Sequence, residues 1–534
     1  MTWLAVSIQG DSIKSLRSDA ESAVAGGAEL IELRVDLCAG VSDADIRRLC
    51  ESLPEAVGII LTIRSSNEGG AFRGTESERA EHLNALRSVG HYVDLELAAW
   101  RSSSQLHHDI VGVPQAADIS SSADGNAPSA PGGRRLILSR HDPQSRPPTL
   151  QAEIVAMLDE PACSVPKLAW RARSVRDNFE AFELMRESPR AAIVICMGAC
   201  GLMSRILAKK FGAFATFASA AEGRETAPGQ ISVAEMKTRY RWDAINHETR
   251  IYGLIGDPVA HSLSPAVHNA VLAEAGLNAV YLPMPVAPGY ESFKAFMVEW
   301  LARPWLDLCG VSVTTPHKEH ALAFIHEQGG FADATAERIG AVNTIWLADG
   351  KLHGSNTDCA AALAAVREAL GLSEETSLGG LRVAILGAGG VARAIVAGLT
   401  DAGARVTVYN RTVEKAANLA RTMGCEARAW DARHQTRAQL LVNCTTVGMW
   451  PNTEESPLPA DSVPEGCTVF DTVYNPLRTR LLRDASRRRC HVIDGLSMFI
   501  RQAEEQSRVW TGDVASPGVM REAAERAIGV LPSA

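Results

Sequence analysis

Lys167 stands in VPKLAW, an apolar segment that also carries Pro166. A lysine among such neighbours is costly unless the segment presents it to a pocket. Desolvation and neighbouring cations would lower its pKa from the reference of ~10.4 and leave a neutral amine able to attack a ketone. A lysine snorkelling to the surface fits the same segment equally well. His141 ends the preceding strand-like run, in SRHD, where a histidine is either a satisfied structural group or, across adjacent strands from Lys167, a proton shuttle. Arg34, Arg64 and Arg205 alternate with Glu32 and Glu68 in IELRVD, TIRSSNEGG and MGACGLMSR. Charged groups converging on one mouth must pair with each other or with a ligand. An anionic substrate with several hydroxyls would satisfy them.

A second constellation lies further along. HSLSPAVHN places Ser262 and Ser264 two residues apart before Pro265, so both hydroxyls leave one side of a loop entering a helix. A carboxylate is a reasonable guest at that N-terminus, although one serine also fits a plain helix cap with proline in the first turn. In VSVTTPHKEH, Thr315 and Lys318 leave the end of a buried strand, and GSNTD brings Asp358. A lysine and an aspartate from separate strand ends can polarise a ketone and relay a proton while a nicotinamide delivers hydride. As an isolated pair they would be a surface salt bridge.

The cofactor is read from LRVAILGAGGVARAIVAGLTDAGARVTVYNRT, residues 381–412. An apolar run ends in Gly387, Ala388, Gly389 and Gly390, and a small-residue helix pattern follows. That order suits a strand, a tight turn and a helix N-terminus facing a pyrophosphate, with Ala392 at the close strand–helix approach. A glycine fingerprint alone also describes an ordinary strand–helix turn. The next strand ends in Asn410, Arg411 and Thr412, where an NAD-binding fold would carry a carboxylate for the ribose hydroxyls. Neutral and cationic groups there suit a 2′-phosphate, so NADP is the expected cofactor.

These groups need elements to hold them. The first 240 or so residues alternate strand-like segments (WLAVSI, LIELRVDL, GIILTIR, YVDLEL, RLILSRHD, VPKLAW, AAIVICMG, FATFAS) with amphipathic or polar stretches. Eight β/α repeats in that length fit a TIM barrel of ~250 residues; an open doubly wound sheet has the same local pattern. The charged residues inside or just beyond the strands favour the barrel. The expected organisation is α/β throughout: an N-terminal (β/α)8 barrel over 1–242, an α/β substrate domain over 248–358 completed by helices within 495–534, and a Rossmann-type domain over 359–494. The Ser/Gly/Pro-rich stretch 117–135 reads as a surface loop.

With 534 residues, 46% apolar and 22% charged, the chain reads as a soluble globular protein of two to four domains. A net charge of −9 and no Lys/Arg run argue against a nucleic-acid partner. No apolar stretch is long enough for a bilayer, and MTWLAVSIQG lacks the features of a signal or transit peptide. The eleven cysteines include no CxxC, the nearest close pair being Cys196 and Cys200, so no metal site or disulfide frame is expected and the cytoplasm is the expected compartment. Small molecules are the expected partners, and the oligomeric state is left open.

Nearly all of the first half resembles the type I 3-dehydroquinate dehydratases. The matching pieces are ELR at Glu32–Arg34, R-x-x-x-EGG at Arg64–Gly70, D-x-E at Asp94, His141-Asp142, Lys167, M-G-…-S-R at Met197–Arg205, and APGQ at Ala227–Gln230. The resemblance implies that Lys167 forms a Schiff base with the C3 ketone of 3-dehydroquinate. His141 would take the C2 proton and return it to the departing hydroxyl, and Glu68 would help set its protonation. Arg205 would hold the substrate carboxylate, with Gln230, Glu32, Arg34 and Arg64 around the hydroxyls. Thr226 replaces the usual Ser in that pocket, and Pro166 replaces an aliphatic residue beside Lys167.

The second half resembles shikimate dehydrogenase, through IGDPVAHSLSPAVHN, TTPHKE, AVNT, NTD, GAGGVARA, NRT, NCTTVGM, DTVYNPLRT and LSMFIRQAEEQSRVWTG. It implies that Ser262, Ser264, Thr315, Asn343, Tyr474 and Gln502 bind substrate, that Lys318 and Asp358 are the catalytic pair, and that Met449 joins the glycines, Asn410, Arg411 and Thr412 at NADP. A bifunctional enzyme producing 3-dehydroshikimate and then shikimate is the expectation. The rival readings are a Schiff-base aldolase barrel, a quinate- or NAD-preferring second half, and a half retained only as a scaffold.

Overall fold

The computed structural model describes residues 2–86, 88–103, 106, 135–512 and 517–530. The stretch 117–135 lies outside these residues except for Arg135, which opens a strand. The chain divides into two compact units, Met1–Thr249 and Arg250–Ala534.

In the first unit, strands β1 (Trp3–Ile8), β2 (Leu30–Arg34), β3 (Gly58–Thr62), β4 (Tyr92–Glu96), β5 (Arg135–Asp142), β6 (Cys163–Arg171), β7 (Ile193–Met197) and β8 (Ala215–Ser219) pair in parallel, in sequence order. β8 returns to pair with β1 through Trp3↔Ala215 to Ser7↔Ser219. That pairing separates a barrel from an open sheet. The β7/β8 seam carries no ladder, but the Phe214 N–H donates to the Ala192 carbonyl at 2.8 Å. The cylinder is nearly closed.

Its interior explains how polar groups enter near-continuous apolar strands. Side chains two apart share a face. Ala5, Leu30, Ile60, Tyr92, Ile137 and Val165 belong to one buried apolar cluster. Two residues further along each strand come Ser7, Glu32, Thr62, Asp94, Ser139 and Lys167, all buried. The polar layer therefore stands on an apolar floor, toward the C-terminal strand ends. A bulge sits beside Lys167: Leu136 pairs with Cys163 but Ile137 pairs with Val165, leaving Ser164 as the extra residue. Pro166, which has no N–H to give, falls between that bulge and the start of β7 pairing at Lys167↔Ile193.

The second unit contains two sheets. One has the order β10–β9–β11–β13–β14–β12, built from β9 (Arg250–Gly256), β10 (Ala279–Pro285), β11 (Leu308–Val313), β12 (Phe331–Ala332), β13 (Thr344–Ala348) and β14 (Lys351–Ser355). β13 and β14 form the antiparallel hairpin expected from AVNTIWLADGKLHG, turned at Asp349 (φ 51°) and Gly350 (φ 73°). The other sheet is all parallel, β17–β16–β15–β18–β19–β20, comprising β15 (Arg382–Leu386), β16 (Arg405–Asn410), β17 (Glu426–Ala429), β18 (Leu440–Asn443), β19 (Thr468–Asp471) and β20 (His491–Ile493). This is the doubly wound order 3-2-1-4-5-6, with its switch point between β15 and β18. The closing helices Gly495–Thr511 and Pro517–Val530 fold onto the helix Ser264–Glu274. Leu263, Val267, Val271, Leu496, Ile500, Ala503, Met520 and Ala524 share that cluster. Among the described residues, no helix is long and apolar enough to cross a membrane.

Candidate functional sites

At the barrel mouth, Lys167 is buried and its Nζ donates to Asp94 Oδ2 at 2.7 Å and to Glu32 Oε1 at 3.4 Å. The same ammonium lies 4.4 Å from the centre of the Phe217 ring. The sequence reading gave this lysine cationic neighbours; the groups touching it are carboxylates. Asp94 is the residue that reading passed over, since D-x-E entered only as a matching piece. Its Oδ1 accepts from Arg64 at 2.7 Å and from Ser139 at 2.6 Å. Burial pushes Asp94 up, but Arg64 and Lys167 overrule it and hold the carboxyl far below the usual range. Glu32 follows the same pattern: burial opposes Lys167 and Arg34, the cations win, and Ser7 and Thr62 hold its two oxygens.

His141 is on the same strand as Ser139, which is in register with Lys167. Burial, with Arg64 and Lys167 nearby, holds its imidazole well below the ordinary histidine value. It is therefore neutral, a base and not an acid, in the free site. Its Nδ1 is buried without a hydrogen-bond partner and lies 3.5 Å from Glu68 Oε2. Glu68 sits in the short turn Ser66–Glu68 and accepts the His141 backbone N–H at 2.7 Å. Burial pushes Glu68 up to about 7 against the pull of Arg64 and Arg140.

Arg205 comes from the short helix Leu202–Ile206 beyond β7. It is 2% exposed and donates only to main-chain carbonyls, Phe217 at 3.1 Å and Pro228 at 3.4 Å, while its Nε has no partner. Among the described residues no carboxylate pairs with it, and burial draws it down to about 10. Phe217 thus joins the two cations, its ring under Lys167 and its carbonyl on Arg205. Gln230 Oε1 accepts from the Thr226 N–H at 2.7 Å and the Thr226 hydroxyl at 3.2 Å. Arg34 differs from its neighbours: it is clamped by Asp36 at 3.0 and 2.8 Å.

In the second unit Lys318 Nζ donates to Asp358 Oδ2 at 2.6 Å, both residues buried. Each stands at a helix start, Lys318–Glu327 and Thr357–Ala369. A cation at a helix N-terminus opposes the helix dipole, so Lys318 needs its partner, while Asp358 fits there. Asn343 Oδ1 accepts the Thr357 N–H at 2.9 Å, and its Nδ2 donates to the Thr357 hydroxyl at 3.0 Å, tying the hairpin to the Asp358 helix. Ser262 donates to Ser264 at 3.1 Å and accepts the Ser264 N–H at 3.2 Å. The N-cap residue is Leu263, and Ser262, one residue further out, takes the first helical N–H. Thr315 is exposed, Tyr474 and Gln502 are half-buried, and the Gln502 amide donates to Phe499 O at 3.0 Å.

Sequence reasoning missed the layer behind these groups. Tyr281 donates to Ser312 at 2.8 Å, Ser312 donates to Gln506 Oε1 at 2.9 Å, and Gln506 Nε2 reaches Asn343 O at 3.2 Å and Thr344 Oγ1 at 3.1 Å. The signal was a polar residue within VYLPMP, VSV and the helix SMFIRQAEEQSRVW, each otherwise free to be apolar core.

The glycine turn leaves space for a dinucleotide. Gly387 has φ 109°, where a side chain would be strained. A Cβ at Gly389 would meet nothing within 4 Å, and one at Gly390 would lie 3.5 Å from the Lys318 side chain. The turn therefore opens directly beside the Lys318–Asp358 pair. Gly389 is the N-cap of the helix Gly390–Asp401, and Ala392 is fully buried. Arg411 is exposed, Asn410 Nδ2 donates to Thr412 O at 2.9 Å, and Thr412 caps the helix Val413–Met423 without using its hydroxyl. Met449 is 42% exposed.

Residues 4–247 match the type I 3-dehydroquinase family. Residues 254–345 match the shikimate dehydrogenase substrate binding domain, 369–443 the shikimate / quinate 5-dehydrogenase family, and 495–525 the shikimate 5′-dehydrogenase C-terminal domain. The chain is 33% identical over 521 residues to the chloroplastic bifunctional 3-dehydroquinate dehydratase/shikimate dehydrogenase of Arabidopsis thaliana, covering 95% of this chain and 81% of that protein. It is 41% identical over 295 residues to the shikimate dehydrogenase (NADP(+)) of Methanothermobacter thermautotrophicus, covering 53% of this chain and 99% of that one. The corresponding Methanopyrus kandleri enzyme is 42% identical over 294 residues, covering 52% and 96%.

Proposed function

The chain belongs to the family of bifunctional 3-dehydroquinate dehydratase/shikimate dehydrogenases, and on that premise we propose how its own residues carry the two reactions. The chain is a lyase and an NADP-dependent oxidoreductase acting on small-molecule substrates of the shikimate pathway.

In the barrel, one observation carries the reading: a buried lysine and a buried guanidinium that has no carboxylate partner among the described residues meet on Phe217. The guanidinium takes the 3-dehydroquinate carboxylate, and Lys167 attacks the C3 ketone after giving up a proton to the neutral His141. His141 returns that proton to the carbinolamine hydroxyl, which leaves as water, so the nitrogen becomes an iminium and the imidazole is neutral again. The iminium charge stands where the ammonium's stood, so Asp94 and Glu32 face a cation again without reorganising. The electron sink makes the C2 proton acidic; His141 removes it and returns it to the departing hydroxyl, with Glu68 facing the imidazolium that forms. Hydrolysis of the iminium frees 3-dehydroshikimate and Lys167. Gln230, Thr226, Arg64 and Arg34 surround the substrate hydroxyls.

In the second unit, Ser262, Ser264, Thr315, Asn343, Tyr474 and Gln502 receive the carboxylate and hydroxyls of 3-dehydroshikimate. Lys318 donates a proton to the ketone oxygen, Asp358, 2.6 Å away, holds the amine in place for that transfer, and the lysine takes its proton back from solvent when product leaves. Gly387, Ala388, Gly389 and Gly390 would hold the pyrophosphate of NADP, and Asn410, Arg411 and Thr412 its 2′-phosphate, with Met449 as a further contact. The open turn at Gly389 fits such a group, which when bound supplies the hydride. We assign the functional division to 1–242, 248–358 with 495–534, and 359–494. Among the described residues, which hold all eleven cysteines, no disulfide forms, and that suits a reducing compartment, in our reading the cytoplasm.

The test is one coupled assay in which 3-dehydroquinate is supplied and NADPH absorbance is followed. The full chain should consume NADPH without an added dehydratase. Lys167→Ala should respond only to 3-dehydroshikimate, and Lys318→Ala should release 3-dehydroshikimate without oxidising NADPH. Activity in both assays from both variants would refute the assignment.

A further inference from the structure

Arg140, one residue before the imidazole base, has no part in the scheme above. Its Nη1 donates to the main-chain carbonyl of His141 at 2.7 Å and lies 3.2 Å from Glu68 Oε1. Its Nε donates to Glu153 Oε1 at 3.3 Å, on the helix Leu150–Leu158. Glu68 also accepts the His141 backbone N–H, through its other oxygen. One guanidinium and one carboxylate thus grip both main-chain polar groups of the base residue. The charged and titratable groups facing Glu68 are Arg64 from the end of β3, Glu96 from β4, and Arg140 and His141 from β5. Arg64 is already shared with Asp94 and Glu96. Arg140 instead lies within ion-pair distance of Glu68 and Glu153.

We propose that Arg140 is a positioning residue of the dehydration reaction: bridging Glu68 and the His141 carbonyl, it fixes that carboxylate against the imidazole while His141 carries the substrate proton. The inference rests on the reading of His141 as the proton carrier. Burial pushes Glu68 up to about 7, so the loss of one cation changes its charge in the working range.

The test is the pH profile of dehydration kcat/KM for wild type, Arg140→Gln and Arg140→Lys in the full chain. Reductase activity with 3-dehydroshikimate serves as a count of intact protein. Removing a cation makes a carboxyl harder to ionise, so the acid limb of Arg140→Gln should move alkaline by about half a pH unit or more. That is a loss of about threefold at pH 6 with little change at pH 9. Arg140→Lys should restore most of the limb. Superimposed acid limbs for Arg140→Gln and wild type, or an equal loss at every pH unrescued by lysine, would overturn the proposal. His141→Ala separates the two failures. Loss of dehydration in that variant with superimposed limbs for Arg140→Gln rejects Arg140 alone, whereas full dehydratase activity without His141 rejects the underlying reading.

Discussion

Replacing Arg205 by methionine should separate substrate binding from stability, with opposite expectations for each. Burial draws this guanidinium down from its ordinary value to about 10. At about 1.4 kcal/mol per pH unit, holding the charge costs about 3 kcal/mol. Because the folded value is the lower one, the group is charged in both folded and unfolded chains below pH 10. The cost is then fully present at neutral pH and is relieved only as pH rises above about 10. Against it stand two hydrogen bonds, to Phe217 and Pro228 carbonyls, worth about 1–3 kcal/mol together. Arg205→Met should therefore leave ligand-free barrel stability within about 2 kcal/mol of wild type, on the favourable side or near zero. Binding should suffer far more, since breaking a buried charge pair costs about 2–5 kcal/mol, or roughly 30- to several-thousand-fold. The assays are kcat/KM for 3-dehydroquinate and denaturant unfolding followed by a barrel probe. A stability loss above about 3 kcal/mol with unchanged kcat/KM would make Arg205 a structural group and refute the argument.

Other outcomes follow from the same geometry. Lys318→Ala should lower reductase turnover by orders of magnitude while NADP affinity, measured by calorimetry, stays within a fewfold of wild type; unchanged turnover removes Lys318 from the chemistry. Arg411→Ala should weaken NADP by roughly ten- to a hundredfold and NAD little, because only the former offers a phosphate for a charge-assisted bond. Equal loss of both coenzymes would contradict that placement. His268 lies fully buried against Tyr281, and burial draws it down to about 3. Its folded value is below the unfolded one, so stability is complete above about pH 6.5 and is lost toward pH 3 at up to about 1.4 kcal/mol per pH unit. His268→Phe should flatten acid unfolding of the second unit between pH 6 and 4; an unchanged slope would count against a neutral buried imidazole.

The barrel is legible in the sequence because each parallel strand buries both faces and so reads as an apolar run with few exceptions. Those exceptions, Glu32 and Lys167 among them, fall two residues beyond an apolar position, which is how one interior layer stands on another. What the sequence does not show is which charges meet. Lys167 and Asp94 are 73 residues apart, and only strand register brings the carboxylate, instead of an arginine, to the amine. Arg205 was expected in or just beyond a strand and comes from a helical turn past β7, because a five-residue helix has no period long enough to read. Ser262 and Ser264 could be placed at a helix start from Pro265, yet the cap is Leu263, since the serines bond each other. Tyr281, Ser312 and Gln506 were invisible for a different reason. A buried polar chain of this kind has no spacing signature, only mutual hydrogen bonds between distant strands and a C-terminal helix.

The account turns on the nitrogen of Lys167. Incubating the full chain with 3-dehydroquinate and sodium borohydride, then mapping peptides by mass, should give one added substrate-derived group on Lys167 and parallel loss of dehydratase activity, with reductase activity retained. Full dehydratase activity after that treatment, or label on any other lysine, would contradict it.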